Sequence, residues 1–432
     1  MSSPVAAPAR LRHDYDYLAA LTPGVLNSAR LLAELMPADE TQARAALAPR
    51  LDILRGQMLA SPFWLRRMID HGLAPRDLRT LDDLLHFPAT SRADLRDFGP
   101  EMPELDPSSE AARQSVLVKS SGSSGEPVGV FKDLADCVHM WAVLRFWLGA
   151  LGLALPDQPR VTLLCALPGG LEYESRLPTL NNGWLVRIST VRQNPLARLI
   201  ASDPQVLFTD PAGLHWLAGQ AQAPRPKLIL TSAQHCPEDL RQLLAQRTGA
   251  IVLDYYSTTE TGAIAWRCPR DPSQWHVLTP EIWVEQVQQE LVVTRLRQSL
   301  LPIVRYRTGD AGRVCFGRCQ CGRTGWSITD FTGRRACWFS APNGGKADAW
   351  QLAWLFKYHN LSDFRLTQQG AQSFQLELAG DCTELSALLA KLQGALRNMG
   401  WPEPQIDAIR VARIDQRGDK PEPFRCTRAP AP

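Results

Sequence analysis

The stretch Ser120-Ser121-Gly122-Ser123-Ser124-Gly125-Glu126-Pro127 organises the reading of this chain. Apolar runs flank it, Val116-Leu117-Val118 before and Val128-Gly129-Val130-Phe131 after, a pattern of strand, tight loop and strand. Glycine lets the backbone turn through positive φ and bring its N–H groups close to a ligand. The serine hydroxyls add donors, and a concave row of donors suits an anion, above all a phosphate. The bland alternative is a polar surface turn. No Gly-Lys-Ser/Thr closes the loop, so it is not a Walker loop.

Working outward, the chain before the loop is helical from about 11 to 70, where Leu31, Leu32 and Leu35 and then Leu47, Leu51 and Leu54 recur at helix spacing. A short helix is expected over 77–85, and another after Phe87-Pro88-Ala89, capped by Thr90 or Ser91. After the loop an amphipathic helix spans 134–151. Strands at 160–165, 184–188, 205–208, 227–231 and 251–255 then alternate with helices at 194–202, 214–221 and 237–247. That alternation predicts βαβ units, hence an α/β fold with a mainly parallel sheet. Ligands of such sheets bind beyond the carboxyl ends of the strands. Three polar loops fall at such places: after Thr231, after Tyr255 and around Thr308. From Trp283 the strands become short and antiparallel. After Gly333 the alternation of Phe364–Thr367 and Phe374–Leu378, the helical 385–399 and the alternating 409–414 predict a small α+β domain. The expected division is 1–333 and 334–432.

Composition narrows the class. The chain has 432 residues, 45% of them hydrophobic, and a net charge of +3. The core is therefore large, and charge gives no general attraction to nucleic acid or to a membrane surface. No apolar run is long enough to span a bilayer, and the start lacks the pattern of a secretory signal, so the expected location is cytoplasmic. Ten cysteines then read as thiols or metal ligands rather than as a disulfide framework.

Two further segments carry chemistry. In Asp254-Tyr255-Tyr256-Ser257-Thr258-Thr259-Glu260-Thr261-Gly262 an aromatic pair offers a flat face for a base, hydroxyls offer donors, and Glu260 offers a hard oxygen ligand for Mg²⁺. The alternative is a helix start with Ser257 and Glu260 as a capping box. In Arg305-Tyr306-Arg307-Thr308-Gly309-Asp310 a strand delivers an aspartate after a glycine turn, where its two oxygens could accept both hydroxyls of a ribose. The alternative is a tight turn with an Asp cap. A fourth group, Cys268, His276, Cys319 and Cys321, could close a tetrahedral Zn²⁺ site with no open position, which would make it structural. The alternative is buried free thiols and a surface histidine.

Taken in order, the three loops resemble the adenylate-forming superfamily of acyl-CoA synthetases, peptide-synthetase adenylation domains and luciferases. Ser120 to Pro127 matches its phosphate loop. Tyr256 to Glu260 matches its Tyr-Gly-x-Ser/Thr-Glu motif, with Ser257 in place of Gly, and Tyr306 to Asp310 matches Tyr-Arg-Thr-Gly-Asp without change. The helical start leading to Leu84–Leu95, the compact length and Cys319-x-Cys321-Gly322-Arg323 ahead of Gly333-Arg334 resemble the phenylacetate-CoA ligase branch.

The resemblance implies a large adenylation domain and a small mobile one. The activity it implies is ATP- and Mg²⁺-dependent activation of a small carboxylic acid, aromatic by the branch, followed by transfer to CoA. Transfer to a carrier-protein phosphopantetheine or an amine, and a degenerate nucleotide-binding relative, stand as alternatives. Ser120, Ser121, Gly122, Ser123, Ser124 and Gly125 would hold phosphates, with Ser257 and Thr258 beside them. Tyr256 would stack on adenine, Thr259 would touch the α-phosphate and Glu260 would hold Mg²⁺. Asp310 would bind the ribose, and Arg323 and Arg334 would lie at the nucleotide, Arg334 at the interdomain hinge. Lys420 is the candidate adenylation lysine. His139, Trp141, Gly169, Ala233 and His235 would line the acid's pocket. Some members of the branch carry a metal knot comparable to the Cys/His group.

Overall fold

The structure is a computed structural model that describes residues 18–98, 115–119, 128–165, 172–190, 192–233, 236–334, 337–356, 361–380, 382, 384–412, 414 and 423–427. The helical start resolves into α1 (Thr22–Glu34), α2 (Glu40–Leu59) and α3 (Pro62–Asp70). Asp39 caps α2 by accepting the Gln42 N–H at 2.8 Å, and Ser61 caps α3. Leu47, Leu51, Leu54 and Met58 share the buried face of α2. The helix expected over 77–85 is instead two 3₁₀ turns, Pro75–Asp77 and Asp82–His86. Ser91 is the cap of α4 (Arg92–Phe98). Its hydroxyl accepts the Asp94 N–H, while the Asp94 carboxylate accepts the Ser91 N–H at 2.7 Å.

β1 (Ser115–Lys119) and β2 (Gly129–Asp133) form a separate antiparallel pair. α5 (Leu134–Ala150) follows, then β3 (Arg160–Cys165), β4 (Tyr173–Leu177), β5 (Gly183–Ser189), α6 (Pro195–Ser202), β6 (Val206–Thr209), α7 (Pro211–Ala218), β7 (Leu228–Thr231), α8 (Glu238–Thr248), β8 (Ile251–Thr258), β9 (Gly262–Arg267), β10 (Trp275–Val277), β11 (Ile282–Val287), β12 (Glu290–Arg295), β13 (Tyr306–Arg318) and β14 (Thr324–Arg334). One sheet holds them in the order β11-β12-β13-β14-β10-β9-β8-β7-β6-β3-β5-β4. The stretch from β5 through β3, β6 and β7 to β8 is parallel. From β8 to β11 every pairing is antiparallel. β8 is therefore the strand where the parallel half, built by crossover helices, meets the half built by hairpins.

Two apolar cores cover the sheet. α5 contributes Phe146 and Trp147 to the larger one, with Leu253, Ile264 and Leu291 of the strands. α6, α7 and α8 bury Leu199, Leu214, Leu217, Leu240 and Leu244 against the parallel part. A third core is separate in sequence: Phe339, Phe364, Phe374, Leu388, Leu392, Trp401 and Phe424. It is enclosed by β15 (Leu361–Gln368), β16 (Ser373–Gly380), β17 (Gln405–Arg410), β18 (Phe424–Cys426) and the helix Leu385–Asn398, an α+β unit of four mixed strands. Among the described residues no helix is long and apolar enough to cross a membrane.

One buried charge sits at the junction strand. Asp254 of β8 lies beneath α8, and burial pushes its carboxyl up to about 7 against the pull of Arg267 and Arg241. The folded state then keeps this proton to near pH 7, whereas the unfolded chain releases it near 3.8, the ordinary value of an aspartate. Stability from this site is therefore lost as pH rises from about 4 to 7. Asp254→Asn is expected to raise the unfolding temperature at pH 8 by the equivalent of on the order of 3 kcal/mol. The gain should shrink towards pH 4, and thermal unfolding compared at about pH 4.5 and about pH 8 tests it.

Candidate active site

The segment Tyr256 to Glu260 is not a helix start. β8 runs on through Thr258, residues 259–261 form the turn, and β9 returns from Gly262, whose φ of +79° suits glycine. The Thr258 hydroxyl oxygen accepts the Thr261 N–H at 3.0 Å and closes the turn from within. A capping box at Ser257 and Glu260 is therefore excluded: Ser257 instead pairs with Ala263 in the β8–β9 ladder.

The segment Tyr306 to Asp310 is likewise not a strand ending in a turn. It is the first part of the long strand β13. Its glycine serves a bulge. Between Arg307 opposite Val292 and Ala311 opposite Glu290 the ladder slips, and Gly309 takes φ +66° there. Glu290 holds the bulge, accepting the Gly309 N–H at 2.7 Å and pairing with Arg307. The Thr308 hydroxyl donates to the Leu291 carbonyl at 2.7 Å. Thr90 bonds to the backbone of Arg305 and Arg307, so the 87–91 segment is stitched to the same strand.

The two motifs are cross-tied. The Tyr256 hydroxyl donates to Asp310 Oδ2 at 2.7 Å, and the Tyr306 hydroxyl is hydrogen-bonded with the Glu260 carboxylate. Each motif thus gives its tyrosine to the other's carboxylate. Burial, and then the neighbouring carboxylate, hold both phenols well above their usual pKa, so both remain donors. Tyr256 is 7% exposed and packs on Phe331 of β14, ring centroids 4.6 Å apart. Glu260 is buried at 4% exposure. Asp310 has one oxygen engaged by Tyr256 and keeps further acceptor sites, since a carboxylate takes about four hydrogen bonds.

Other expected residues fall in different places. The Ser120–Pro127 loop lies outside the described residues, as do Gly169, His235 and Lys420. Its flanks are described: Lys119 pairs with Gly129, so β1 and β2 bracket the loop as a hairpin. Thr259 is in the β8–β9 turn beside Glu260. Arg334 ends β14, paired with Asp310 across the ladder. Ala233, just past the carboxyl end of β7, takes φ +78°, which costs an alanine about 1–2 kcal/mol. Next to it Ser232 is hydrogen-bonded with the half-buried Tyr255.

His139 and Trp141, expected at the acid, have other partners. His139 Nε2 lies 2.5 Å from the buried Glu281 carboxylate, which also accepts from Ser28 of α1. Burial, then Arg297, push the His139 pKa down and keep the ring neutral. Trp141 packs edge-on to Phe208 and against the Val25–Val138–Ala142 cluster where α5 meets α1. Arg323 requires a correction. It sits at the turn end of the β13–β14 hairpin, whereas Asp310 and Arg334 pair at the other end. Eight residues of ladder, about 25 Å, separate them. Arg323 instead donates to the Leu32 carbonyl and lies over the Phe146 ring at 4.9 Å.

Beside Arg323, Cys268, His276, Cys319 and Cys321 converge, with all four ligand atoms within 4.8 Å of one another. Cys319 and Cys268 sulfurs are 3.7 Å apart, and Cys321 Sγ is 3.3 Å from His276 Nε2. Tetrahedral Zn²⁺ bond lengths require about 3.8 Å and 3.6 Å for these separations. Backbone N–H groups of Asp271 and Arg270 point at the Cys268 sulfur, and that of Cys321 at the Cys319 sulfur. Burial pulls His276 down to about 4, leaving a neutral ring able to ligate. Burial, then the adjacent thiols, push Cys319 up to about 12. A divalent cation reverses that, because a coordinating thiol loses its proton.

No protein-family model matches the chain. It is 28% identical over 283 residues to the phenylacetate-coenzyme A ligase of Pseudomonas putida, covering 60% of this chain and 63% of that one. The phenylacetate-coenzyme A ligase of Escherichia coli K12 matches at 26% over 284 residues, 60% and 64% of the two chains. The chain thus spans less than two thirds of the length of these relatives. Among solved structures, 2-hydroxyisobutyryl-CoA ligase in an open conformation with 2-HIB-AMP and CoA superposes with a TM-score of 0.56 at 15% identity, covering 90% of this chain and 92% of that one. The same ligase in its thioesterification state gives 0.58 at 16% identity, 90% and 91% covered. The fold is that of these two-domain ligases, and the sequence is similar to phenylacetate-CoA ligases.

Proposed function

We propose that this chain activates a small carboxylic acid with ATP and passes the acyl group to CoA. The observation that carries the reading is the cross-tie of Tyr256 with Asp310 and of Tyr306 with Glu260. It brings a hydroxyl-rich turn, a candidate Mg²⁺ carboxylate and a candidate ribose carboxylate to one end of the β8–β13 region. The similarity to phenylacetate-CoA ligases supports it and makes an aromatic acid the first substrate to try.

A carboxylate is a poor electrophile because its leaving group would be oxide. In the proposed first step its oxygen attacks the α-phosphorus of ATP, the bond to the β-phosphate oxygen breaks, and pyrophosphate leaves. Catalysis is then positioning and charge neutralisation. Glu260 would hold the Mg²⁺ that neutralises the phosphates, Asp310 would accept the ribose hydroxyls, and Thr259 would donate to the α-phosphate. In the second step the CoA sulfur attacks the acyl carbonyl and AMP leaves. Ser232 and Ala233 stand at the carboxyl end of β7 and are candidates for the acid's side of the site. Zn²⁺, where bound, would be held by Cys268, His276, Cys319 and Cys321 and would serve the fold, since four protein ligands leave no open position.

Pyrophosphate release over a panel of aryl and alkyl acids tests the first step, and thioester mass after adding CoA tests the second. Release with an arylacetic or benzoic acid is the expected result. Bound ATP with no release for any acid would reduce the chain to a nucleotide binder. Lys420→Ala is expected to abolish pyrophosphate release while leaving thioester formation from supplied acyl-adenylate intact. A near-normal rate of release would remove Lys420 from the first step.

A further inference from the structure

Five charged side chains meet where β2, the start of α5, the end of β12 and the β8–β9 turn converge: Lys132, Asp133, Asp136, Arg295 and Arg297. Asp133 caps α5, accepting the Asp136 N–H at 2.6 Å. Asp136 pairs with Arg297 and lies 3.6 Å from Arg295. Both members of the Asp136–Arg295 pair have fully buried side chains. Burial would raise the Asp136 carboxyl, but Arg295 and Arg297 hold it at about 2.

Stability is a poor reason for such a pair, because a buried ion pair seldom outdoes apolar packing of the same volume. Its contacts offer a better one. Arg295 Nη1 stands 3.5 Å from the Glu260 carbonyl, and Nη2 donates to the Leu301 carbonyl. Arg297 flanks the same turn, since a Cβ added at Gly262 would come 3.7 Å from its Nη2. The Glu260 carbonyl is thus faced by Arg295 and its carboxylate is bonded by Tyr306. At that distance the hydrogen bond is long, but in a low-dielectric interior the guanidinium charge still attracts the carbonyl.

On the ATP site proposed above, we infer that Arg295, anchored by Asp136, is a positioning residue that fixes Glu260 for the metal–nucleotide complex. The anchor also joins the turn to the first turn of α5, where Asp136 lies.

ATP binding by the full chain is measured by calorimetry across Mg²⁺ concentrations, with circular dichroism as the folding control. Arg295→Met leaves Asp136 paired with Arg297, and Arg295→Lys keeps the charge with a shorter reach. If the methionine variant does not fold, the lysine variant carries the same test. The Mg²⁺ concentration for half-maximal binding is expected to rise roughly tenfold or more in Arg295→Met and less in Arg295→Lys, as for loss of a group orienting a metal ligand. ATP affinity without Mg²⁺ should be unchanged. An unchanged Mg²⁺ midpoint in a folded variant overturns the inference. So does an equal loss of affinity with and without Mg²⁺, which marks a merely structural role. Wild-type protein that binds no ATP under any condition overturns the ATP site itself, and the inference with it.

Discussion

Glu260→Gln is expected to cut adenylate formation by roughly two to three orders of magnitude while leaving the fold intact. The two side chains have the same shape. The remaining amide oxygen can still accept from Tyr306, and Arg295 faces the backbone carbonyl rather than the carboxylate. What is lost is the negative charge that, in the proposed function, would hold Mg²⁺ against the phosphates. The loss should fall on the metal-dependent rate: ATP affinity without Mg²⁺ stays at the wild-type value, and excess Mg²⁺ recovers part of the rate. Stability should be equal or higher, since a carboxylate at 4% exposure is replaced by a neutral amide. Pyrophosphate release with the best acid from the panel, read beside thermal unfolding, decides it. A wild-type rate in the folded variant would remove Glu260 from the metal site.

Much of this site was legible in the sequence, and the parts that were not share a physical cause. The parallel strands declared themselves by buried runs between turn residues, as at Leu228–Thr231, whose four residues are all buried. β4 did not, because Tyr173–Leu177 is an edge strand whose side chains are mostly exposed or half-buried. The glycines at 262 and 309 read as loop markers, yet one sits at a hairpin turn and the other in a bulge within a strand of 13 residues. Local composition signals positive φ and cannot tell whether the ladder ends there or only slips. The cross-ties were out of reach because Tyr256 and Asp310 are 54 residues apart and meet only through the strand order. Arg295 is 1% exposed, and nothing in the sequence around it marks it as buried. Arg323 shows the opposite error. It is near the motifs in sequence, but a long hairpin converts that nearness into about 25 Å. The Cys/His group was readable because ligand chemistry restricts the residue types so strongly.

Removing metal from that group is expected to destabilise the large domain by several kcal/mol, a fall of on the order of 5–10 °C in unfolding temperature. Three thiolates and a neutral imidazole around Zn²⁺ carry one net negative charge, and the half-buried Arg323 beside Cys321 is placed to balance it. Without the cation, sulfurs 3.7 Å apart must take up protons, which burial favours, and the cross-link is gone. That link joins Cys268 and His276, which flank the β9–β10 connection, to the turn of the β13–β14 hairpin. The far end of the same hairpin carries Asp310 and Arg334. A chelator, or Cys321→Ser, should therefore lower nucleotide affinity as well as stability, although neither touches the proposed nucleotide site. Metal binding should weaken as pH falls, because each thiol must give up its proton to ligate. Arg323→Gln should weaken metal retention by roughly tenfold with the four ligands intact. Metal analysis of carefully purified protein, then unfolding with and without chelator, is the measurement. Clearly substoichiometric zinc, or an unfolding temperature indifferent to the chelator, would leave the four side chains as buried thiols beside a histidine.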